Sequence, residues 1–400
     1  MPSTTTSRPT LSLARGLLGT TAVLAAGLSG LYLRHASPKL PSALPLLRSY
    51  SSSSPPPFTY RLAAAASAKR SAPPRPAHFW PYSSAAGAQA PPYVRSTKPD
   101  AGEDAFFMAT VGGDAHTVAF GVADGVGGWQ DSGVDPSDFS HGLCGLMAGT
   151  AHIFEGAGLR PRELMQTAYD AVIGNPRIVA GGCTASLGVL DGEGGLEAAN
   201  LGDSGFVIVS PGKIAFRSEM QTHAFNTPYQ MSKVPPKMQA QHAIFGGSTH
   251  FSETPQDADV TKHKVQHGDI VLFATDGVWD NLSAQDVLKV VTKVMEEQGY
   301  WNEAGGETTL NETKVRSLPG KVSPKMQEGY LPGLLASAVM REAKLAGLDT
   351  KRNGPFAREV KLYYPHEAWQ GGKPDDIAVV VAVAVENGPL ADEEPIKAKL

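Results

Sequence analysis

Residues 183–201, CTASLGVLDGEGGLEAANL, decide the fold class of this chain. Two apolar runs, 183–190 and 196–201, flank the turn 191–195, which is rich in glycine and acidic residues. Glycine and aspartate are typical of tight reversals, because they tolerate or stabilise backbone conformations that other residues avoid. Two strand-like runs joined so closely predict a β-hairpin.

Outward from this hairpin, strands and helices are grouped by kind. Residues 206–209 and 214–217 flank a Ser-Pro-Gly turn and predict a second hairpin. Residues 270–274 form an apolar run that predicts a buried strand, and 377–385, rich in β-branched residues, predict a central one. Strands in hairpins and helices in pairs favour an α+β fold, in which two antiparallel sheets form a central β-sandwich flanked by helices.

Four acidic motifs lie beside these apolar strand runs. Carboxylates at the ends of buried strands cost free energy unless another charge compensates them. If the strand ends converge, repulsion among the acids requires cations, and ligands that are all oxygen favour Mg²⁺ or Mn²⁺. Each Asp-Gly pair alone is typical of a plain turn, so spacing by itself leaves both interpretations open. The motifs are Glu103-Asp104, Asp124-Gly125, Asp276-Gly277 with Asp280, and Asp375-Asp376.

Taken in series, the segments GEDAFF, VADGVGGW, NLGDSG, LFATDGVWDN and PDDIAVV resemble the type 2C metal-dependent protein phosphatases, the PPM family. The resemblance covers about residues 100–386 and is nearest to the mitochondrially targeted branch. It implies an α-β-β-α arrangement with a two-metal site at one end of the sandwich. It also implies hydrolysis of phosphoserine and phosphothreonine on proteins by water that two cations activate, without a covalent phosphoenzyme.

The resemblance also implies roles for the acids. Asp124 would bridge both metals, and the Gly125 carbonyl would bind the second. Asp276 and Asp375 would complete the coordination of the first metal, and Glu103 would bind the second, largely through water. Asp124, Asp276 and Asp375 are therefore the expected catalytic set.

Further acids of these motifs are given supporting roles by the same resemblance. Asp203 and Asp280 match positions that hold a weaker third ion. Asp104 is expected to support Glu103, and Asp376 stands behind the metal ligands, at a position where many members have Asn. The implied cofactors are two Mg²⁺ or Mn²⁺ ions and a weaker third one.

Two positions depart from the family's pattern. Many members have a His after the second motif's Asp-Gly, assigned as general acid, and this chain has Val126 there. His141 is a candidate replacement, with a plain core or surface histidine as the alternative. Many members also place an Arg before the first motif to hold the substrate phosphate; here that position is Pro99, and Lys98 is the candidate phosphate contact, although it lacks the bidentate fork of Arg.

The N-terminal part differs sharply in charge from the rest. Residues 1–99 contain 11 of the 35 basic residues and none of the 39 acidic ones. An acid-free, Arg- and Ser-rich start predicts a mitochondrial transit peptide over 1–50, with the matrix as destination. Residues 16–33 carry no charge, so a retained inner-membrane anchor is the alternative. A secretory signal is a further alternative, which the presence of only two cysteines disfavours.

The remaining boundaries follow from composition. Residues 51–99 are rich in Ser, Pro and Ala and predict a disordered linker, in which 78–82 packs onto the domain as its first edge. The phosphatase domain is predicted over 100–388 and a C-terminal tail over 389–400. Within the domain, the polar segment 299–330 is interpreted as a loop.

Other functions are weighed against the phosphatase. An acidic domain argues against nucleic acid as a partner. A thiol phosphatase is excluded because neither Cys144 nor Cys183 has an Arg six residues later. The main rival is a catalytically weak scaffold with the same fold that binds partners in the mitochondrion. The expected partners are phosphorylated mitochondrial proteins, by family implication metabolic proteins and coenzyme Q biosynthesis factors, and the expected state is a monomer.

Overall fold

The computed structural model describes residues 57–74, 78–82, 88–89, 101–156, 158–245, 251–320, 322 and 328–387. The predicted transit peptide 1–50 with its uncharged segment 16–33, the candidate phosphate contact Lys98 and the tail 389–400 lie outside the described residues. Within the described ranges, none of the helices combines the length and the apolar character needed to span a bilayer.

Two six-stranded antiparallel sheets form the body of the structure, with elements numbered in chain order. From edge to edge, the first sheet contains β10 (Lys213–Arg217), β9 (Gly205–Ser210), β15 (Ile270–Ala274), β18 (Ile377–Glu386), β1 (Phe58–Ser67) and β2 (Trp80–Pro81). The second contains β14 (Asp259–Lys264), β8 (Gly195–Leu201), β7 (Ala185–Leu190), β5 (Asp114–Ala123), β4 (Ala105–Val111) and β3 (Ala88–Gln89). Both predicted hairpins are confirmed, as β7–β8 and β9–β10, and so is the central position of β18.

The prediction of a disordered linker over 51–99 is wrong for β1. All 10 residues of this strand pair with β18, from Phe58 opposite Glu386 to Ser67 opposite Ile377. Its alanines are weak strand formers, but Ala63, Ala64 and Ala65 are fully buried, so tertiary pairing overrides local composition. The domain therefore begins well before residue 100. The prediction that 78–82 packs as an edge is confirmed, because β2 is the outer strand.

Helices cover both outer faces. In the described residues they are α1 (Ser137–His152), α2 (Pro161–Gly174), α3 (Pro236–Phe245), α4 (Asp276–Trp279), α5 (Ala284–Glu297), α6 (Glu312–Arg316), α7 (Leu331–Leu348) and α8 (Pro355–Tyr363). Buried side chains of α1 and α2 pack on the second sheet, and those of α5 and α7 pack on the first. A third apolar cluster fills the space between the sheets, where the rings of Phe206 and Phe273 stack at 4.8 Å. The predicted α+β sandwich is confirmed.

Short two-stranded ribbons complete the described structure: β11 (Thr222–Ala224) with β12 (Thr227–Pro228), β6 (Gly181–Cys183) with β13 (Met231–Lys233), and β16 (Trp301–Ala304) with β17 (Glu307–Leu310). The interpretation of 299–330 as a plain loop is wrong in its first half, which contains β16, β17 and α6. Its polar residues face solvent around a Gly-Gly turn, while Trp301 is buried and anchors the ribbon to the core.

Candidate metal centre

Strand register brings the acidic motifs to one end of the sandwich. In the second sheet, Ala105 at the start of β4 lies opposite Ala123 at the end of β5. Glu103-Asp104 and Asp124 directly adjoin these two residues, so they meet at the same edge. In the first sheet, β15 ends and antiparallel β18 begins at a common edge, which places Asp276 beside the last motif. The resulting cleft has a volume of about 410 Å³, and its acidic lining consists of Glu103, Asp124, Asp203, Asp276, Asp375 and Asp376.

A lysine lies among the acids of α4 and of the loop before β18. Oxygen atoms of Asp276, Asp280 and Asp375 lie within 4.8 Å of one another. The Lys373 ammonium lies among them, with Nζ 2.7 Å from Asp276 Oδ2 and 2.6 Å from Asp280 Oδ2. Burial by itself raises the pKa of Asp276, but the charge of Lys373 and its hydrogen bond hold that pKa below the ordinary value. Asp276 therefore stays ionised in the folded chain.

Other acids of the cluster differ from Asp276, because their pKa values are raised. Burial raises the pKa of Asp124 well above its ordinary value, and the charges of Asp104 and Asp276 raise it further. Burial and the neighbouring charge of Asp276 do the same to the pKa of Asp203. Carboxylates that resist ionisation in this way need a cation close to them to carry their full charge at neutral pH.

Asp104 gives an independent test of whether a cation fits. Its side chain is only 1% exposed, and Oδ2 accepts a hydrogen bond of 2.7 Å from Thr275 Oγ1. Its Oδ1 is buried and accepts no hydrogen bond from the described residues. Burial, followed by the charge of Asp376, raises the pKa of this carboxyl. A buried oxygen of this kind beside further acids fits a hard divalent cation, whose preferred ligands are oxygens.

Backbone contacts position the first and the last motif against each other. The Glu103 amide donates a hydrogen bond of 2.8 Å to Asp376 Oδ2, and the Lys69 amide donates one to Asp376 Oδ1. Asp376 thus joins the residues just after β1 to those just before β4, at the wall of the cleft. The Glu103 carboxylate accepts a hydrogen bond from the Gln130 amide, and burial raises the pKa of Glu103.

The backbone at Gly125 lies close to the first motif. Its amide donates to the Glu103 carbonyl at 3.2 Å, and a Cβ atom at this position would lie 2.7 Å from that oxygen. Val126 lines the cleft at the position where many family members have a His. The candidate His141 lies on α1, has no exposed surface and is not among the residues that line the cleft.

Two lysines of the cleft escape sequence reasoning. Lys373 lies two residues before Asp375, just outside the fourth motif, and sequence alone does not show that its side chain contacts three acids. Lys69 follows β1, in the region interpreted as a linker, so its place in the cleft is not predicted. Its Nζ lies 3.4 Å from Asp375 Oδ1, and its side chain is 52% exposed. The buried Lys344 donates a hydrogen bond of 2.8 Å to the Lys69 carbonyl, which fixes the backbone there.

Comparison with known proteins finds relatives that are named protein phosphatases. The chain is 34% identical over 288 residues to the Protein phosphatase PTC7 homolog of Xenopus laevis, which covers 71% of this chain and 82% of that protein. It is 32% identical over 282 residues to the Protein phosphatase PTC7 homolog fig of Drosophila simulans, covering 70% and 76%. Among solved structures, the photosystem II phosphatase PBCP is similar, with a TM-score of 0.51, 25% identity and coverage of 74% of this chain and 97% of that one. No protein-family model matches the chain.

Proposed function

Because the chain belongs to the PTC7 family of type 2C protein-serine/threonine phosphatases, we propose that it dephosphorylates mitochondrial proteins with two divalent cations held in the cleft. One observation carries the proposal. Acids from five separate segments of the chain converge in one cleft of about 410 Å³, and burial raises the pKa of several of them. Such an arrangement is costly in a scaffold that binds no cation.

Each acid then takes a place around the two ions. As the family resemblance implies, Asp124 would contact both ions, Asp276 and Asp375 would complete the first site, and Glu103 with the Gly125 carbonyl would hold the second. All of these donors are oxygens, which suits Mg²⁺ or Mn²⁺. When bound, the cations supply an activated water and neutralise charge on the phosphoryl oxygens.

The protein's own side chains deal with the substrate. Lys69 is half exposed in the cleft, so its ammonium can turn from Asp375 to the incoming phosphate and take the role that sequence reasoning gave to Lys98. Val126 offers no titratable proton, and His141 is buried, so water in the open cleft protonates the departing serine or threonine oxygen. The ribbon of β11 and β12 forms one wall through Asn226, Thr227 and Pro228.

The acid-free N-terminus supports the mitochondrial part of the proposal. A positive segment is drawn into a compartment that is negative inside, by about 2.3 kcal/mol per charge per 100 mV. Cleavage before Ser51 would release the domain into the matrix, whereas retention of 16–33 would tether it to the inner membrane. Cell fractionation with N-terminal sequencing distinguishes the two. Capture of phosphoproteins from isolated mitochondria on an Asp276→Asn variant identifies the substrates, for which metabolic and coenzyme Q biosynthesis proteins are the first candidates.

Hydrolysis of a phosphothreonine peptide tests the activity. We expect turnover that requires Mn²⁺ or Mg²⁺ and falls by more than about 10³-fold in Asp124→Asn and in Asp276→Asn, because each change removes a ligand that positions charge in the transition state. Asp170→Asn, an exposed acid on α2, is the matched control and keeps full activity. Metal-independent turnover, or Asp124 and Asp276 variants as active as the parent, would sink the proposal. A folded parent that binds Mn²⁺ without hydrolysing the peptide would favour the scaffold.

A further inference from the structure

Lys373 makes more ionic contacts than its place on a connecting loop predicts. Its Nζ lies 2.6 Å from Asp280 Oδ2, 2.7 Å from Asp276 Oδ2 and 3.2 Å from Asp375 Oδ2, and its side chain is 18% exposed. An ammonium group has three donors. Here Nζ donates hydrogen bonds to Asp276 and Asp280, and Asp375 lies at ion-pair distance. Lys373 therefore coordinates three acids in the manner of a small cation.

The backbone of Lys373 is fixed at the same time. Its amide donates a hydrogen bond of 2.9 Å to Asn281 Oδ1, and Asn281 Nδ2 donates one of 2.8 Å back to its carbonyl. Asn281 is only 1% exposed and also donates to the Gly277 carbonyl at 3.0 Å, within α4. The helix that carries Asp276 and leads into Asp280 thus holds Lys373 in register, so the ammonium is part of the built site.

We propose that the Lys373 ammonium is a resident third cation of this centre, so that the chain binds two divalent ions and excludes a third. The inference rests on the two-ion site of the proposed function. A third ion would need the faces of Asp280 and Asp276 that Lys373 occupies, and the nearby positive charge would repel it. Asp203 and Asp280, expected from the family resemblance to hold a third ion, instead neighbour a lysine that cannot dissociate from the protein.

Counting bound Mn²⁺ tests the inference directly. Full-length chain is dialysed against Mn²⁺, and metal per chain is measured by atomic emission together with Mn²⁺ electron paramagnetic resonance of the free ion. We expect about two ions for the parent and about three for Lys373→Met, which keeps the length of the side chain but removes its charge. Lys69→Met is the matched control, because it removes an exposed lysine beside the same Asp375 and keeps about two ions. Adding Asp280→Asn to Lys373→Met abolishes the gained ion.

The outcomes separate this inference from the proposed function. A parent that binds about three ions, or a Lys373→Met variant that binds no more than the parent, overturns the inference and leaves the phosphatase proposal intact. A parent that binds no Mn²⁺ contradicts both. Circular dichroism with and without Mn²⁺ reports whether Lys373→Met is folded. If it is not, the parent's own count still decides between two and three.

Discussion

The end of β1 and the loop before β18 each bring a lysine to Asp375, and the two lysines have very different surroundings. Lys69 Nζ lies 3.4 Å from Oδ1 of this acid, and its side chain is 52% exposed. Lys373 Nζ lies 3.2 Å from Oδ2, its side chain is 18% exposed, and it contacts Asp276 and Asp280 as well. Asp375 thus pairs with one exposed lysine and one largely buried lysine.

The difference shows that the two lysines compensate the charge of Asp375 in different ways. An exposed ion pair stabilises a protein by only about 0–1 kcal/mol, so Lys69 can leave Asp375 at little cost and meet a substrate. Burial lowers the pKa of Lys373, but the three surrounding acids raise it well above its ordinary value, so its charge is permanent. Of the three acids that face Lys373, Asp276 has its pKa held below the ordinary value, whereas burial still raises the pKa of Asp280 and Asp375. Asp104 and Asp124, whose pKa values are raised well above the ordinary value, depend on external cations.

We expect the two lysines to differ most in their contribution to stability when each is replaced by Met. In EDTA we expect Lys373→Met to lower the free energy of unfolding by about 3–5 kcal/mol, because it leaves buried acids without their partner. Lys69→Met should lower it by less than about 1 kcal/mol. Urea unfolding followed by circular dichroism measures both. Added Mn²⁺ should restore much of the loss in Lys373→Met. Equal losses for the two variants would contradict the distinction between them.

The acids of the cleft predict an unusual pH dependence for the metal-free chain. Burial raises the pKa of Asp280 from 3.8 to about 7, even though the charge of Lys373 opposes this, and the pKa values of Asp104, Asp124 and Asp203 are raised too. The folded chain therefore holds protons that the unfolded chain releases above about pH 4. Only Asp276 in this group acts in the opposite direction, because its pKa is lowered.

In EDTA, stability should accordingly be greatest near pH 4–5 and fall as pH rises toward about 7, with a loss of roughly 5 °C or more in Tm. Saturating Mn²⁺ should flatten this dependence, since bound cations favour the ionised acids. Thermal unfolding of the parent across this range, with Asp124→Asn as a variant that removes one of the buried charges, measures the effect. Stability that rises with pH in EDTA would show that the cleft acids are ionised without metal.

Local signals account for what the sequence predicts well. The β7–β8 hairpin was predictable because its turn residues lie within the chain segment that they reverse. Likewise, the acids were predictable as a group because each is next to an apolar strand run. β1 was not predictable, since its Ala-rich sequence becomes a strand only by pairing with β18 at the other end of the chain. Lys373 was missed for the same physical reason: its three partners belong to α4, to the residue after α4 and to its own loop, and only the packed fold joins them.

The smallest effect that we expect is on kcat/KM, and it tests whether Lys69 contacts the substrate phosphate. Lys69→Met should lower kcat/KM for a phosphothreonine peptide by about tenfold, or about 1.4 kcal/mol, which is typical of losing one charge-assisted contact to phosphate. Lys69→Arg should recover most of it, because a guanidinium also binds phosphate. Lys289→Met on α5, a more exposed lysine paired with Asp286, should leave kcat/KM unchanged and serves as the control. Unchanged kcat/KM in Lys69→Met would mean that this lysine only balances Asp375, and the two lysines would then differ in burial alone.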